Sequence, residues 1–250
     1  MNTWKKILLA LLVVLLLAAA AFVVWAYTPL GPMPEALAAL ESDAAVQVTT
    51  EPWYTFQPNG ESRNTGFIFY PGGRVGPRSY APTARAIAEQ GYPVVIVPMP
   101  FNLAVFGSGR AATVIAAFPQ VERWAIGGHS LGGAMAATFT QDNPDAVDGL
   151  VFWAAYPAGS ADLSARADLA VSSVYGTADA VLNWEAFESS RALLPSNTKW
   201  TPIEGGNHAQ FGWYGPQSDA DVATISREEQ QAQTIAATLA LLQQVEDRAR

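Results

Sequence analysis

Trp124-Ala125-Ile126-Gly127-Gly128-His129-Ser130-Leu131-Gly132-Gly133-Ala134-Met135-Ala136-Ala137 decides the reading of this chain. A short apolar run enters the stretch and a helix start of small residues leaves it. Between them, Gly128-His129-Ser130-Leu131-Gly132 fits G-x-S-x-G, in which small residues allow a serine on a tight strand-to-helix turn with its hydroxyl clear of the sheet. The five-residue pattern is weak by itself, and its position between a strand pattern and a helix pattern gives it weight. Gly132 and Gly133 let the helix that follows pack closely on neighbouring strands.

Outward from this turn, short apolar runs alternate with helical patterns, with no internal repeat. Such alternation predicts a mostly parallel sheet. Eight strands are expected, at Val46–Thr50, Trp53–Gln57, Phe67–Tyr70, Val94–Val97, Trp124–Gly127, Leu150–Ala154, Val171–Tyr175 and Lys199–Ile203. Helices are expected at Tyr80–Gln90, Arg110–Phe118, Leu131–Gln141, Glu185–Leu194 and Ser226–Val245. The last opens on an N-cap serine with Glu229 three residues later and continues with Ile235, Leu239 and Leu242 at helical spacing, so it should cover one sheet face.

A serine hydroxyl needs a base to become a nucleophile, and the base needs a carboxylate to orient it. The chain holds two histidines. His129 adjoins Ser130 and reads as a packed structural residue pointing away from it, which leaves His208, in the loop Gly205-Gly206-Asn207-His208-Ala209-Gln210-Phe211-Gly212. When a serine occupies such a turn, the acid falls between it and the histidine and follows a strand. Asp179 fits best, three residues beyond Val171–Tyr175 and Gly176; Asp162, Asp168, Glu185 and Glu204 are rivals, of which only Glu204 also lies beside a strand end. An oxyanion formed at Ser130 needs two amide donors. Leu131 supplies one, and Gly73, or else Arg74, supplies the other from Pro71-Gly72-Gly73-Arg74 after the strand Phe67–Tyr70; the competing reading makes Pro-Gly-Gly a plain turn.

These residues resemble the α/β-hydrolase superfamily, and the layout is similar to its small lidless bacterial members in the dienelactone hydrolase and carboxylesterase group. The likeness covers roughly Val46 to Val245 and rests on the turn at Ser130, the strand-Gly-x-x-Asp at Asp179 and Gly-Gly-Asn-His at His208. It implies a three-layer α/β fold, a mostly parallel eight-stranded sheet with helices on both faces and no large lid domain. It implies a serine hydrolase that cleaves carboxylic ester bonds through Ser130, His208 and Asp179. Two departures stand out: Pro71-Gly72 replaces the His-Gly of many relatives, and no cysteine is present to serve as the dienelactone hydrolase nucleophile. Thioester or amide cleavage or acyl transfer on the same residues stays open, as does a non-catalytic binding module of the same fold.

Only a short segment separates Trp153 from Val171, so the site should be open. Arg74, Phe101, Asn102, Phe106, Trp213 and Tyr214 are the candidate pocket residues, with ordinary core packing the competing reading for the aromatic ones. Turnover should fall as acid protonates His208.

Composition sets the surroundings. Half the 250 residues are hydrophobic, enough for one sizeable core. Asp and Glu number 22 against 14 Lys and Arg, a net charge of -8 that argues against a nucleic-acid partner. The absence of cysteine excludes disulfides, a thiol nucleophile and thiolate metal sites. No metal or organic cofactor is implied, and nothing sets an oligomeric state.

Lys5 and Lys6 precede an unbroken apolar run from Ile7 to Tyr27, with Pro-rich sequence after it. The expected organisation is an N-terminal signal anchor over 1–27, a neck over 28–45 that includes a tethering stretch from Glu35 to Ala45, and a catalytic domain over 46–250. A run of about 20 apolar residues spans a bilayer. The alternative is a signal peptide cleaved near Ala18-Ala19-Ala20, which yields a secreted domain. The flanking charges place the domain outside the cytoplasm as a membrane-anchored enzyme acting on a small acyl ester.

Overall fold

Successive residues of the inner strands enter two different cores. The computed structural model describes residues 2–248. In β3 (Thr65–Tyr70), Phe67 and Phe69 pack into one apolar layer while Ile68 and Tyr70 pack into the other, and every residue of the strand is buried. A parallel strand covered on both faces needs apolar residues throughout, and for this reason the inner strands read as continuous runs.

The remaining strands are β1 (Val46–Thr49), β2 (Tyr54–Pro58), β4 (Val94–Ile96), β5 (Arg123–His129), β6 (Gly149–Trp153), β7 (Ala170–Gly176) and β8 (Lys199–Ile203). They form one sheet in the order β1-β2-β4-β3-β5-β6-β7-β8. β2 runs antiparallel to β1 and β4, and every later pair is parallel. β5 continues two residues beyond its expected end, because Gly128 and His129 still pair with Phe152 and Trp153 of β6.

Helices α3 (Ala81–Ala88) and α7 (Arg227–Asp247) cover one face, the second through Leu241, Leu242 and Val245. Helices α4 (Ala111–Ala117) and α5 (Leu131–Asp142) cover the other, through Val114, Ala136, Ala137 and Phe139. The start of α7 is fixed by a reciprocal cap, in which the Glu229 amide donates to Ser226 Oγ and the Ser226 amide to Glu229 Oε2. Helix α6 (Trp184–Ser190) is shorter than its sequence pattern, because the chain tightens into a 3-10 turn over Arg191–Leu193. Its N-cap Asn183 side chain accepts from the Ala186 amide.

Ahead of the sheet, α1 (Thr3–Ala26) is long and apolar enough to cross a membrane, and among its residues only Ala26 is buried. The segment read as a neck is more ordered than a linker. It contains a short helix, α2 (Pro34–Ala38), and it bridges Leu30 to Val75 and Pro32 to Tyr214.

Candidate active site

At the end of β5 the chain turns into α5 through Ser130, whose φ of 52° is left-handed. The turn needs glycine on both sides. A Cβ on Gly128 would lie 2.4 Å from the backbone of Gly132, and one on Gly132 would lie 2.1 Å from the Tyr70 carbonyl oxygen. With these two positions bare, α5 starts directly against the end of β3, and Ser130 lines a cavity at the carboxyl ends of the strands.

Asp179 lies three residues beyond β7 and is buried. Its Oδ1 accepts from the amides of Val181 and Leu182, at 2.8 and 2.7 Å. Its Oδ2 meets His208 Nδ1 at 2.7 Å. Held this way, the imidazole carries its hydrogen on Nδ1 and leaves Nε2 as the lone-pair nitrogen. That Nε2 is buried and has no hydrogen-bond partner, so the Ser130 hydroxyl is not yet bonded to it, though His208 and Ser130 line the same cavity. A bond of this kind often tightens only when substrate is bound. The rival carboxylates lie elsewhere: Asp162 caps Ser164, Asp168 pairs with Arg166, Glu204 accepts from Thr177, and Glu185 sits in the first turn of α6.

Gly73 and Leu131 are adjacent across the turn, with Leu131 Cδ2 3.3 Å from the place a Gly73 Cβ would take. Neither amide has an acceptor among the described residues. The Arg74 amide is not available as a donor because it is bonded to the Asn102 carbonyl at 2.8 Å. The Gly72 amide is bonded to Tyr80 Oη at 3.0 Å, and Tyr80 Oη in turn meets His129 Nδ1 at 2.9 Å. Because that oxygen accepts from Gly72, its own hydrogen goes to His129, tying the Gly73 loop to the Ser130 turn.

His129 is fully buried, with its ring 4.5 Å from that of His208. Burial first, and then the neighbouring His208, push its pKa well below the usual histidine value, so it is neutral. Burial likewise pushes the Tyr80 hydroxyl far up, which keeps it protonated as a donor.

The cavity measures about 400 Å³, within the range of small-ligand sites. Its walls are apolar, from Ala134 and Met135 of α5, Ala154 to Tyr156 after β6, and Val181 and Leu182 after Asp179. None of the six pocket residues expected from the sequence lines it. Arg74, Phe101 and Asn102 are occupied by the N-terminal helix: Arg74 donates to the Trp25 and Thr28 carbonyls, Asn102 donates to Ala26, and Phe101 packs on Phe22 and Tyr27. Phe106 packs on Phe101 at the surface. Tyr214 is wholly buried beside His129, and the Trp213 amide is bonded to the Ser79 carbonyl. Position after a strand's carboxyl end is common to 101–106 and 154–156, and it is the packing of the N-terminal helix on the former that separates them.

Asp221 was not anticipated. This buried carboxylate accepts from the amides of His208 and Ala180 on Oδ1, at 3.0 and 3.2 Å, and from Ala209 on Oδ2 at 2.9 Å. It joins the loop of Asp179 to the loop of His208.

The sequence pattern of the alpha/beta hydrolase family matches residues 66–232, from β3 into α7. The chain belongs to this family. No curated protein matches it in sequence. Among solved structures, this alpha/beta hydrolase is similar to TT1662 from Thermus thermophilus, at 12% identity over 79% of this chain and 97% of that one, with a TM-score of 0.57. One of the metagenome-derived lipolytic enzymes LipS and LipT aligns at 12% identity over 74% and 95% of the two chains, with a TM-score of 0.53. The alpha/beta hydrolase MGS-MChE2, from the metagenome of lagoon sediments at Mar Chica, aligns at 20% identity over 66% and 89%, with a TM-score of 0.50. At these identities the likeness is one of fold.

Proposed function

We propose that this hydrolase cleaves carboxylic esters through an acyl-enzyme on Ser130, with His208 as base, Asp179 as its orienting acid and the Gly73 and Leu131 amides as oxyanion donors. The observation that carries the reading is the 2.7 Å bond from Asp179 to His208, which leaves an unbonded Nε2 in the cavity that Ser130 also lines.

In this reading Ser130 Oγ bonds to the acyl carbon as His208 Nε2 takes the hydroxyl proton, and negative charge on the former carbonyl oxygen falls to the two free amides. The carbon–oxygen bond to the alcohol then breaks, and the alcohol leaves with the proton from His208. Water bonds to the acyl carbon while its proton passes to His208. The bond to Ser130 breaks, the serine regains its proton and the carboxylic acid departs. The apolar walls suit an acyl chain, and one structural neighbour is a lipolytic enzyme, which agrees with that chemistry. We also read α1 as an uncleaved anchor with the hydrolase outside the cytoplasm, because the apolar run continues past the alternative cleavage site to the length that crosses a bilayer, with Lys5 and Lys6 ahead of it.

The test is hydrolysis of p-nitrophenyl esters by the full chain beside Ser130→Ala. Turnover is expected to fall by roughly 10⁴-fold or more in the folded variant. Undiminished turnover removes Ser130 from the chemistry. Covalent labelling of the wild type by a fluorophosphonate separates an active serine from a binding module that lacks one.

A further inference from the structure

The apolar surface of α1 does not end where the helix ends. Phe22 and Tyr27 lie against Phe101 at ring separations of 5.6 and 5.7 Å, and Phe101 lies against Phe106 at 5.4 Å. The chain of rings therefore passes from the helix onto the 101–106 loop, whose tip residues Val105 and Phe106 are 48% and 53% exposed. This junction is fixed by polar contacts. Arg74 Nε donates to the Trp25 carbonyl at 2.9 Å, its Nη2 donates to Thr28 at 2.8 Å, and its guanidinium lies over the Trp25 ring. Asn102 Nδ2 donates to the Ala26 carbonyl at 2.9 Å. The loop thus sits within a turn of the helix end, the depth at which aromatic residues gather at a membrane surface.

Charge agrees with that placement. In a chain of net charge -8, Glu89 is the only carboxylate between Glu61 and Glu122, against Arg63, Arg74, Arg78, Arg85 and Arg110. Arg63 and Arg85 are paired with Glu246 and Asp43, whereas Arg74, Arg78 and Arg110 form no ion pair among the described residues. Arg78 follows Gly76, whose amide is bonded to Leu30, and the Arg110 stem lies against Gly107, beside Phe106. Guanidinium groups at the helix exit and beside the apolar tip complement lipid phosphates over an acyl layer. The same loop is next to the site: Leu103 and Leu131 both approach the Gly73 position, and Leu131 lines the cavity.

We propose that the helix exit, the 101–106 loop and the three unpaired arginines form a seat on the bilayer, and that the ester cleaved at Ser130 belongs to a membrane-resident amphiphile. The substrate part rests on the esterase reading, and the seat rests on α1 spanning the membrane. A clamped helix exit sets the height of the site, so an acyl ester reaches Ser130 by moving up from the interface, and the apolar cavity receives the chain without its crossing water.

The absence of cysteine makes site-specific labelling clean. The full chain is reconstituted into vesicles of phosphatidylcholine with a minor share of phosphatidylglycerol. An environment-sensitive fluorophore on Phe106→Cys is expected to be dehydrated and quenched by nitroxide lipids. One on Gln141→Cys, exposed at the far end of α5 and about 15 Å along it, should stay in water. Equal behaviour at the two positions overturns the seat.

In the second arm, V105S/F106S is expected to cut cleavage of a fluorogenic diacylglycerol in the same vesicles by about tenfold, with p-nitrophenyl acetate turnover unchanged. Undiminished cleavage in the vesicle, parallel loss of both activities, or a wild type that cleaves only the dissolved ester each overturns the substrate class. If Ser130→Ala kept its p-nitrophenyl acetate turnover, the esterase reading would fall instead, and the fluorophore arm would still report on the seat.

Discussion

Asp221 lies outside the trio nominated by motif, yet it holds two of the loops that form the site. Its three amide bonds reach Ala180, next to Asp179, and both His208 and Ala209, and it forms no ion pair among the described residues. Asp221→Asn keeps the shape but turns an acceptor oxygen into a donor facing an amide N–H, so at least one bond is lost. A shift of a few tenths of an ångström in the imidazole is costly in rate. We expect kcat to fall about tenfold or more with KM near wild type; an unchanged kcat would assign Asp221 to stability alone. His129 yields a separate prediction, in pH. Its folded pKa lies well below the ordinary value, so as pH falls through about 6.5 the unfolded chain takes a proton that the folded chain refuses. Stability contributed by this group is therefore complete above that range and lost below it, by about 1.4 kcal/mol for each pH unit until the folded group titrates. His129→Asn retains an acceptor for Tyr80 Oη and removes the titration. Melting curves between neutral pH and about pH 5 should drop more steeply for wild type than for the variant; parallel curves would assign the acid loss to other groups.

At the scale of elements, what decides the site is how closely α5 approaches β3. Gly132→Ala drives a Cβ into the backbone carbonyls of Tyr70 and Pro71, which have no rotamer to yield. The cost should be about 1–3 kcal/mol of stability, together with loss of turnover as the Ser130 turn shifts. Gly109→Ala, where a Cβ meets nothing within 4 Å, is the control, and equal effects of the two would mean that the close approach is not what holds the turn. The same packing explains which elements were legible. The inner strands are covered on both faces, so their apolar runs stand out from the polar segments between them, and all eight strands lie where those runs predict. α5 and α7 carried their own boundaries, through the glycines after Ser130 and the Ser226–Glu229 cap. α2 was not legible, because five residues opening on a proline lack a helical period and are held by neighbours, through Arg85 donating to the Ala39 carbonyl and Met33 to Trp213.

Across the whole molecule, the part of the candidate site that the sequence nominates is what a motif or an elimination can name, and the rest depends on segments far apart in sequence. Ser130 has its flanking glycines, and His208 and Asp179 follow from a scarcity of histidines and the order of strands. Arg74, Phe101 and Asn102 read as pocket residues because they follow strand ends, and no local signal links them to Trp25, Ala26 and Thr28. All three have left-handed backbones, with φ of 55°, 56° and 52°, a cost that surrounding contacts must offset. The bonds from Arg74 and Asn102 to the helix exit supply part of that offset, and the Leu30 amide closes the loop by donating to the Arg74 carbonyl at 2.8 Å. Two shortened chains separate tether from scaffold. A chain beginning at Ala21 keeps every one of these partners, whereas one beginning at Pro34 removes them all. With partly exposed hydrogen bonds contributing about 1–2 kcal/mol together, the shorter chain should melt about 3–6 °C lower. Its turnover of a dissolved ester should fall as well, since the freed loop carries the Gly73 amide. Equal melting and equal turnover would make residues 21–33 a tether, while a loss confined to the shorter chain would make the helix exit part of the hydrolase.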